Sequence, residues 1–293
     1  MAISRREFLK LAGAGLGTLT LPARPRSKGR FIRAENSHAM LYDSLKCVGC
    51  RACQQACKAR SKLPYEPDAT GLYEAPRDLS ASTWTIIKLY QGEQVSSFVK
   101  QQCMHCIDPA CVSVCPVAAL QKTPEGPVVY HGERCIGCRY CMAACPFGIP
   151  KSQWDKALPL IQKCDFCADR LAAGGKPACG EACPTGALIH GTRSQMLETA
   201  HQRLNLDSTY YPHVYGETEA GGTSMLYISQ VNYKNLGFPE LKEQDLPAIT
   251  WPYMSAVPAV IGVMVTLSTG IYLRTHRDKN GKADQPGEPK KEE

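Results

Sequence analysis

One long apolar run stands out in the hydrophobic pattern of the chain. Pro247–Leu273 contains no charged residue, and its core, Met254–Leu273, has the length of about 20 residues that a helix needs to cross a bilayer. Trp251 and Tyr272 lie near its two ends, where aromatic side chains meet the lipid headgroups. The pattern predicts a transmembrane helix over 247–273. The alternative is a buried helix of a soluble domain.

A shorter apolar stretch, Leu11–Leu21, lies near the N-terminus and follows Arg5 and Arg6. Paired arginines before such a stretch are typical of a twin-arginine export signal, which is an address read by a receptor. The alternative is a basic amphipathic helix. We therefore predict that residues 1–34 are an export signal and linker, and we exclude them from the fold.

Between these ends, short β-branched and aromatic runs separated by Gly and Pro predict strands. A helix is predicted over Met196–Leu204, and a turn followed by a strand over 210–229. The predicted strands are Met40–Leu45, Thr83–Leu89, Phe98–Gln101, Val128–His131 and Leu188–Thr192.

Sixteen cysteines divide into four quartets with no cysteine left over. The first and third quartets read C-x2-C-x2-C-x3-C, the second widens one gap to x4, and the fourth widens that gap to x11. The quartets are Cys47/Cys50/Cys53/Cys57, Cys103/Cys106/Cys111/Cys115, Cys135/Cys138/Cys141/Cys145 and Cys164/Cys167/Cys179/Cys183.

This spacing is the one that bacterial ferredoxins use to bind iron–sulfur clusters. The last three quartets also end in Cys-Pro, where proline stops the helix and turns the chain away. Zinc sites pair two C-x2-C knuckles across a longer gap, and disulfide scaffolds rarely repeat one spacing four times. The sequence therefore predicts four [4Fe–4S] clusters, with zinc binding and disulfides as the alternatives.

An internal repeat indicates how the quartets pair. Cys115–Leu120 is echoed by Cys183–Leu188, which predicts two ferredoxin-like units, the inner one inserted into the outer one. In two-cluster ferredoxins the fourth cysteine of a quartet binds the other cluster. The predicted ligand sets are therefore Cys47, Cys50, Cys53 and Cys183 (site 1); Cys57, Cys164, Cys167 and Cys179 (site 2); Cys103, Cys106, Cys111 and Cys145 (site 3); and Cys115, Cys135, Cys138 and Cys141 (site 4).

The charge distribution excludes a nucleic-acid partner. The formal charge of +7 is carried by residues 1–34, and the remainder of the chain is neutral. A body-wide basic surface, which nucleic-acid binding requires, is therefore missing from the sequence. Aliphatic content in the cysteine region is modest, so we expect the protein to fold poorly without its clusters.

Basic residues directly after the apolar run predict the membrane orientation. Arg274 and Arg277 follow the run, which favours a cytoplasmic end by the positive-inside rule. The export signal places the cluster region in the periplasm, so the two signals agree. We predict an α+β chain with a four-cluster domain at 35–245 (outer unit 40–60 with 160–195, inner unit 98–150), a span at 247–273 and a cytoplasmic tail at 274–293.

The quartets, the Tyr211–Glu217 and Gly221–Thr223 segments, the twin-arginine start and the single C-terminal span together resemble a known family. It comprises the four-cluster iron–sulfur subunits of membrane-bound oxidoreductases, and the chain is most similar to the membrane-anchored subunit of hydrogenase-2-type [NiFe] uptake hydrogenases. The β subunit of respiratory formate dehydrogenase is also similar and shares the x11 gap. The export signal on this chain favours the hydrogenase type.

The resemblance implies a non-catalytic subunit of the inner membrane that transfers electrons. It would accept them from a periplasmic hydrogenase and pass them to an integral membrane subunit that binds quinone or haem. The alternatives are the same role beside a formate dehydrogenase or a molybdopterin-dependent reductase, and a zinc-stabilised structural protein of the periplasm.

Overall fold

The computed structural model describes residues 34–65 and 78–280. The predicted signal arginines Arg5 and Arg6 lie outside the described residues, as does most of the predicted cytoplasmic tail. Two units are distinguished, one covering 28–249 and the other containing the C-terminal helix. Each is described by itself.

A three-stranded sheet joins distant parts of the chain. Its central strand β1 (His38–Asp43) pairs antiparallel with β8 (Leu188–Thr192) and parallel with β9 (Met225–Ile228). Leu41 lies opposite both Ile189 and Leu226, so the apolar residues of three separate segments form one buried layer. The predicted strand Leu188–Thr192 is observed with the same bounds, and the strand predicted over 210–229 corresponds to β9.

The other six strands form three antiparallel hairpins. β2 (Thr85–Gln91) pairs with β3 (Ser96–Gln102), β4 (Leu120–Lys122) pairs with β5 (Val128–Tyr130), and β6 (Lys151–Ser152) pairs with β7 (Ile161–Gln162). A backbone hydrogen bond of 2.9 Å from Gly92 to Val95 closes the β2–β3 turn. This hairpin was predicted only as two separate strands.

The helices of the cysteine domain are short, and most begin just after the first two cysteines of a quartet. They are α1 (Ala52–Ser61), α2 (Ala110–Ser113), α3 (Tyr140–Ala144), α4 (Ala168–Ala172), α5 (Ala178–Glu181) and α6 (Arg193–Leu206). The last of these starts three residues before the predicted helix, because Thr192 and Gln195 form a capping box at its N-terminus.

One core cluster of the domain lies between the sheet and the cysteine loops, and another lies between the sheet and α6. Tyr42 packs against Tyr227, and its hydroxyl donates to the Phe98 carbonyl at 2.9 Å. At the end of β1 the buried Asp43 carboxylate accepts hydrogen bonds from Arg203 and Tyr210 at 2.8 and 2.9 Å. The packed rings, the bonded hydroxyl of Tyr42 and the paired buried carboxylate of Asp43 hold the strand that leads into the first quartet.

The C-terminal helix α7 spans Leu246–Asn280. Its segment Leu246–His276 contains an 18-residue window with a mean hydropathy of 1.8 and is long and apolar enough to cross a membrane. Pro252 and Pro258 lie within the helix, which membrane helices tolerate. The Thr266 hydroxyl donates to the Gly262 carbonyl at 2.8 Å, so this polar group is satisfied within the helix.

Candidate metal centres

All four quartets begin with the same backbone turn. The residue directly before the second cysteine has a left-handed conformation in each case, with φ between 49° and 71°. Glycine adopts this conformation without strain, and it occupies this place in two of the quartets. The four residues are Gly49, His105, Gly137 and Phe166.

The two turns without glycine are held by packing. His105 and Phe166 are buried, and their rings contact each other at a centroid distance of 4.7 Å. The Nδ1 atom of His105 also accepts a hydrogen bond of 2.9 Å from the Val128 amide. Left-handed non-glycine residues persist where their surroundings fix them, and these two turns fix each other.

Site 1 forms between β1, α1 and the segment that precedes β8. Cys47, Cys50 and Cys53 line one cavity together with Cys183, which is distant in sequence. Cys53 lies on α1 and is buried, whereas Cys50 is exposed. The structure therefore brings together all four cysteines predicted for site 1.

Site 2 joins the end of α1 to the fourth quartet. Cys57, Cys164, Cys167 and Cys179 line one cavity. Arg60, one turn beyond Cys57 on α1, pairs with Asp165 at 2.6 Å. This ion pair fixes α1 against the loop that carries Cys164 and Cys167.

At site 3, Cys103 is buried and Cys106, Cys111 and Cys145 are partly buried. The pKa of Cys106 lies well above its usual range because the thiol is buried and because the thiols of Cys103, Cys145 and Cys111 are close. The same causes, with Lys163 opposing them, raise the pKa of Cys111 to about 12. The four cysteines predicted for site 3 are therefore electrostatic neighbours.

Site 4 lies at the surface beside the β4–β5 hairpin. Cys115, Cys135, Cys138 and Cys141 line one cavity. Cys138 is exposed and Cys141 is buried. The Cys115 thiol accepts a hydrogen bond of 3.2 Å from the Ala119 amide, a contact that stabilises the thiolate form of a cluster ligand.

The four sites follow one another in a row. Cys53 of site 1 and Cys179 of site 2 lie in one packed cluster, as do Cys164 of site 2 and Cys103 of site 3. Cys111 of site 3 packs against the cluster that contains Cys141 of site 4. The row therefore runs from site 1 to site 4, and each end has one exposed cysteine.

Buried lysines lie beside the sites, and sequence reasoning missed them. Lys100 and Lys163 are only 1% and 5% exposed, and neither forms an ion pair with a carboxylate among the described residues. Burial would lower the pKa of Lys100, but the thiols of Cys179, Cys53, Cys164 and Cys57 outweigh it and raise that pKa. Buried ammonium groups that are not neutralised by carboxylates would stabilise anionic clusters bound at these sites.

The donor sets fit iron–sulfur clusters in their chemistry. Each site offers four thiols, and thiolate is the ligand that [4Fe–4S] clusters require. In the protein without metal, burial raises the pKa of Cys57 to about 12 and that of Cys179 to about 11. These thiols lose their protons only when a metal replaces them.

Two family models match the chain. A 4Fe-4S dicluster domain matches residues 94–193, and a 4Fe-4S binding domain matches residues 38–59. The matched ranges contain all sixteen cysteines of the four sites.

Relatives match over most of their length. A protein of Nitratidesulfovibrio vulgaris is 40% identical over 99% of this chain and 82% of its own length. The hydrogenase-2 operon protein HybA of Escherichia coli O157:H7 is 38% identical over 82% of this chain and 85% of its own length. The iron–sulfur subunit of the nitrate-inducible formate dehydrogenase of Escherichia coli K12 is 38% identical over 78% of this chain and 77% of its own length. The chain therefore belongs to the family of ferredoxin-type iron–sulfur subunits of hydrogenase-2-like oxidoreductases.

Proposed function

We propose that this chain relays electrons through four [4Fe–4S] clusters, one at each of sites 1 to 4. The observation that carries the proposal is the row of four cysteine sites, in which each site packs against the next. The exposed Cys50 and Cys138 at its two ends are the places where electrons enter and leave. The clusters supply the one-electron chemistry when bound.

The proposed ligands are the four cysteines that line or surround each site. For sites 1, 2 and 4, each set shares a cavity, and site 3 has four mutually close thiols. The sets combine into an outer unit (sites 1 and 2) and an inner unit (sites 3 and 4). Pairing of β1 with β8 and the Arg60–Asp165 ion pair support the joining of the outer halves across the inserted unit.

We further propose that the catalytic partner is a [NiFe] hydrogenase. The match to the HybA protein covers 82% of this chain, against 78% for the formate dehydrogenase subunit. The twin-arginine pattern at Arg5 and Arg6 also supports this reading, since the formate dehydrogenase subunit is expected to travel on its partner's signal. A formate dehydrogenase or a molybdopterin-dependent reductase is the second candidate, because the formate dehydrogenase subunit is equally identical to this chain. In either complex, substrate turnover belongs to the partner.

The proposed location is the inner membrane, with the cysteine domain in the periplasm. Helix α7 supplies the single span, and the basic residues Arg274 and Arg277 after it favour the cytoplasmic side. An integral membrane subunit that binds quinone or haem would exchange electrons with one end of the row. A phosphatase fused after the last residue should be inactive and a fluorescent protein active, and the reverse would contradict this orientation.

Metal analysis of the native complex tests the proposal. The chain is tagged at its C-terminus, extracted from membranes in mild detergent without oxygen, and analysed for iron, nickel, molybdenum, tungsten and zinc. Four clusters predict about 16 irons per chain. Nickel in the same complex supports the hydrogenase partner, whereas molybdenum or tungsten supports the second candidate. About four zinc ions and little iron would refute the electron-transfer proposal.

A cysteine substitution tests the ligand sets. Cys138→Ser should lower the iron content from about 16 to about 12 per chain, because one four-iron cluster loses a ligand. Ile136→Ala in the same exposed loop is the matched control and should retain all of the iron. Full iron content and an unchanged reduced-state magnetic spectrum in Cys138→Ser would contradict the assignment.

A further inference from the structure

Lys100 places a buried ammonium group between two of the cysteine sites. It lies on β3 opposite Ile87 and is 1% exposed. A lysine is almost never fully buried unless its charge is paired. The groups around its side chain therefore indicate which partner the charge of Lys100 stabilises.

The neighbours of Lys100 belong to both sites. Its side chain lines the site 1 cavity together with Cys53. Its Nζ atom donates to the Thr85 hydroxyl and, at 2.5 Å, to the Gln102 side-chain oxygen. Thr85 and Gln102 both line the site 2 cavity. The ammonium thus stands where the two cavities come closest along β3.

Neutral partners do not balance this charge. Thr85 and Gln102 accept hydrogen bonds but carry no charge, and among the residues described by the structure Lys100 has no carboxylate at ion-pair distance. An uncompensated buried charge is strongly destabilising. The anionic groups available to Lys100 are the thiolates of sites 1 and 2, and the clusters those thiolates would hold.

We propose that Lys100 is a counter-cation shared by sites 1 and 2, and that its charge raises the reduction potentials of both clusters together. Reduction adds one negative charge to a cluster, and a nearby cation in a region of low dielectric stabilises that added charge. Lys100 is therefore a positioning residue that sets the reduction potentials of the clusters at sites 1 and 2. The inference rests on the proposed four-cluster function.

We expect the effect to be confined to sites 1 and 2, because a different lysine, Lys163, lies beside site 3. The ammonium of Lys163 donates to the carbonyls of Val128 and Cys164, the latter at 2.8 Å. Its charge opposes the rise in the pKa of Cys111 and Cys145, two thiols of site 3. Removal of the Lys100 charge should leave the environment of sites 3 and 4 intact.

The test uses the complex extracted from membranes without oxygen, and three variants. Lys100→Gln removes the charge and keeps a polar group beside Thr85, whereas Lys100→Arg keeps the charge. Lys88→Gln is the matched control, because Lys88 lies on the partner strand of the same hairpin but is partly exposed and paired with the exposed Asp78. Iron per chain is measured first, and the four potentials are then determined by redox titration followed by electron paramagnetic resonance.

In Lys100→Gln we expect two of the four potentials to fall, each by at least a tenfold change in the reduction equilibrium, which is about 59 mV for one electron. Lys100→Arg and Lys88→Gln should keep all four potentials. Loss of iron in Lys100→Gln with full iron in Lys100→Arg would also support the counter-cation role.

Other outcomes overturn the proposal. These are unchanged potentials in Lys100→Gln, a shift of one potential or of all four, and equal losses of iron or potential in Lys100→Arg and Lys100→Gln. The last of these would assign Lys100 to packing alone. The iron content of the unsubstituted protein tests the four-cluster function separately. Failure of that function can therefore be distinguished from failure of the counter-cation role of Lys100.

Discussion

Gly49→Ala should destabilise the protein more than Gly137→Ala, although the two glycines occupy the same place in the same motif. Gly49 lies in the turn of site 1 with φ +67°, and Gly137 lies in the turn of site 4 with φ +71°. Both substitutions force alanine into a left-handed conformation. The surroundings of the two turns differ, and that difference sets the prediction.

The magnitudes follow from the space around each glycine. A Cβ atom at Gly137 would have no neighbour within 4 Å, so its cost is the conformational strain of about 1–2 kcal/mol. A Cβ atom at Gly49 would come within 2.5 Å of the Phe98 ring atom Cζ, and overpacking adds about 1–3 kcal/mol. The expected cost of Gly49→Ala is therefore about 2–5 kcal/mol.

A double-mutant cycle isolates the clash with Phe98. The assay is the urea midpoint for loss of cluster absorbance without oxygen, measured for Gly49→Ala, Phe98→Leu, both together, and Gly137→Ala. Phe98→Leu should recover about 1–3 kcal/mol of the cost of Gly49→Ala, since the two residues couple directly. Equal costs for the two glycine variants, or a cost of Gly49→Ala that stays the same in the Phe98→Leu background, would refute the reasoning.

Other contacts predict separate outcomes. The thiols of Cys57 and Cys179, whose pKa values burial raises to about 12 and about 11, are protonated at neutral pH. Reconstitution with iron and sulfide should therefore release protons, measured in weak buffer, and proceed faster at about pH 9 than at about pH 7. Arg203→Met removes the cation beside the fully buried Asp43 and should cost about 3–5 kcal/mol in a urea titration, with a smaller cost when Asp43→Asn is added. Thr192→Ala removes the cap of α6 and should cost about 1 kcal/mol in the same titration.

The cysteine quartets were predictable because their spacing is a local signal, and glycine at positions 49 and 137 indicates two of the turns. The assignment of Cys183 to site 1 and of Cys57 to site 2 instead required the internal repeat, because each site combines cysteines of two quartets. The turns at His105 and Phe166 gave no such signal, since tertiary packing of one ring on the other holds them. Their left-handed backbone is visible only when both loops are in place.

The role of Lys100 was hidden for a different reason. A lysine at a strand position next to polar residues predicts an exposed side chain, and Lys88 on the partner strand is partly exposed. The burial of Lys100 arises because α1 and the fourth quartet close over one face of the hairpin. This covering of the hairpin depends on contacts between residues far apart in sequence, and the hydrophobic pattern along one strand cannot predict such contacts.

The x11 gap of the fourth quartet is accommodated at the surface and does not alter site 2. Between Cys167 and Cys179 the chain forms α4 and an exposed turn at 172–176, where the Gly175 amide donates to the Arg170 carbonyl at 2.8 Å. Cys179 still lines the same cavity as Cys57, and the pairing of Arg60 with Asp169 on α4 holds α1 against this segment. Loop length here can change without moving a thiol. The gap is therefore a weak guide to the catalytic partner, and the metal content of the complex is the property that separates a hydrogenase from a formate dehydrogenase.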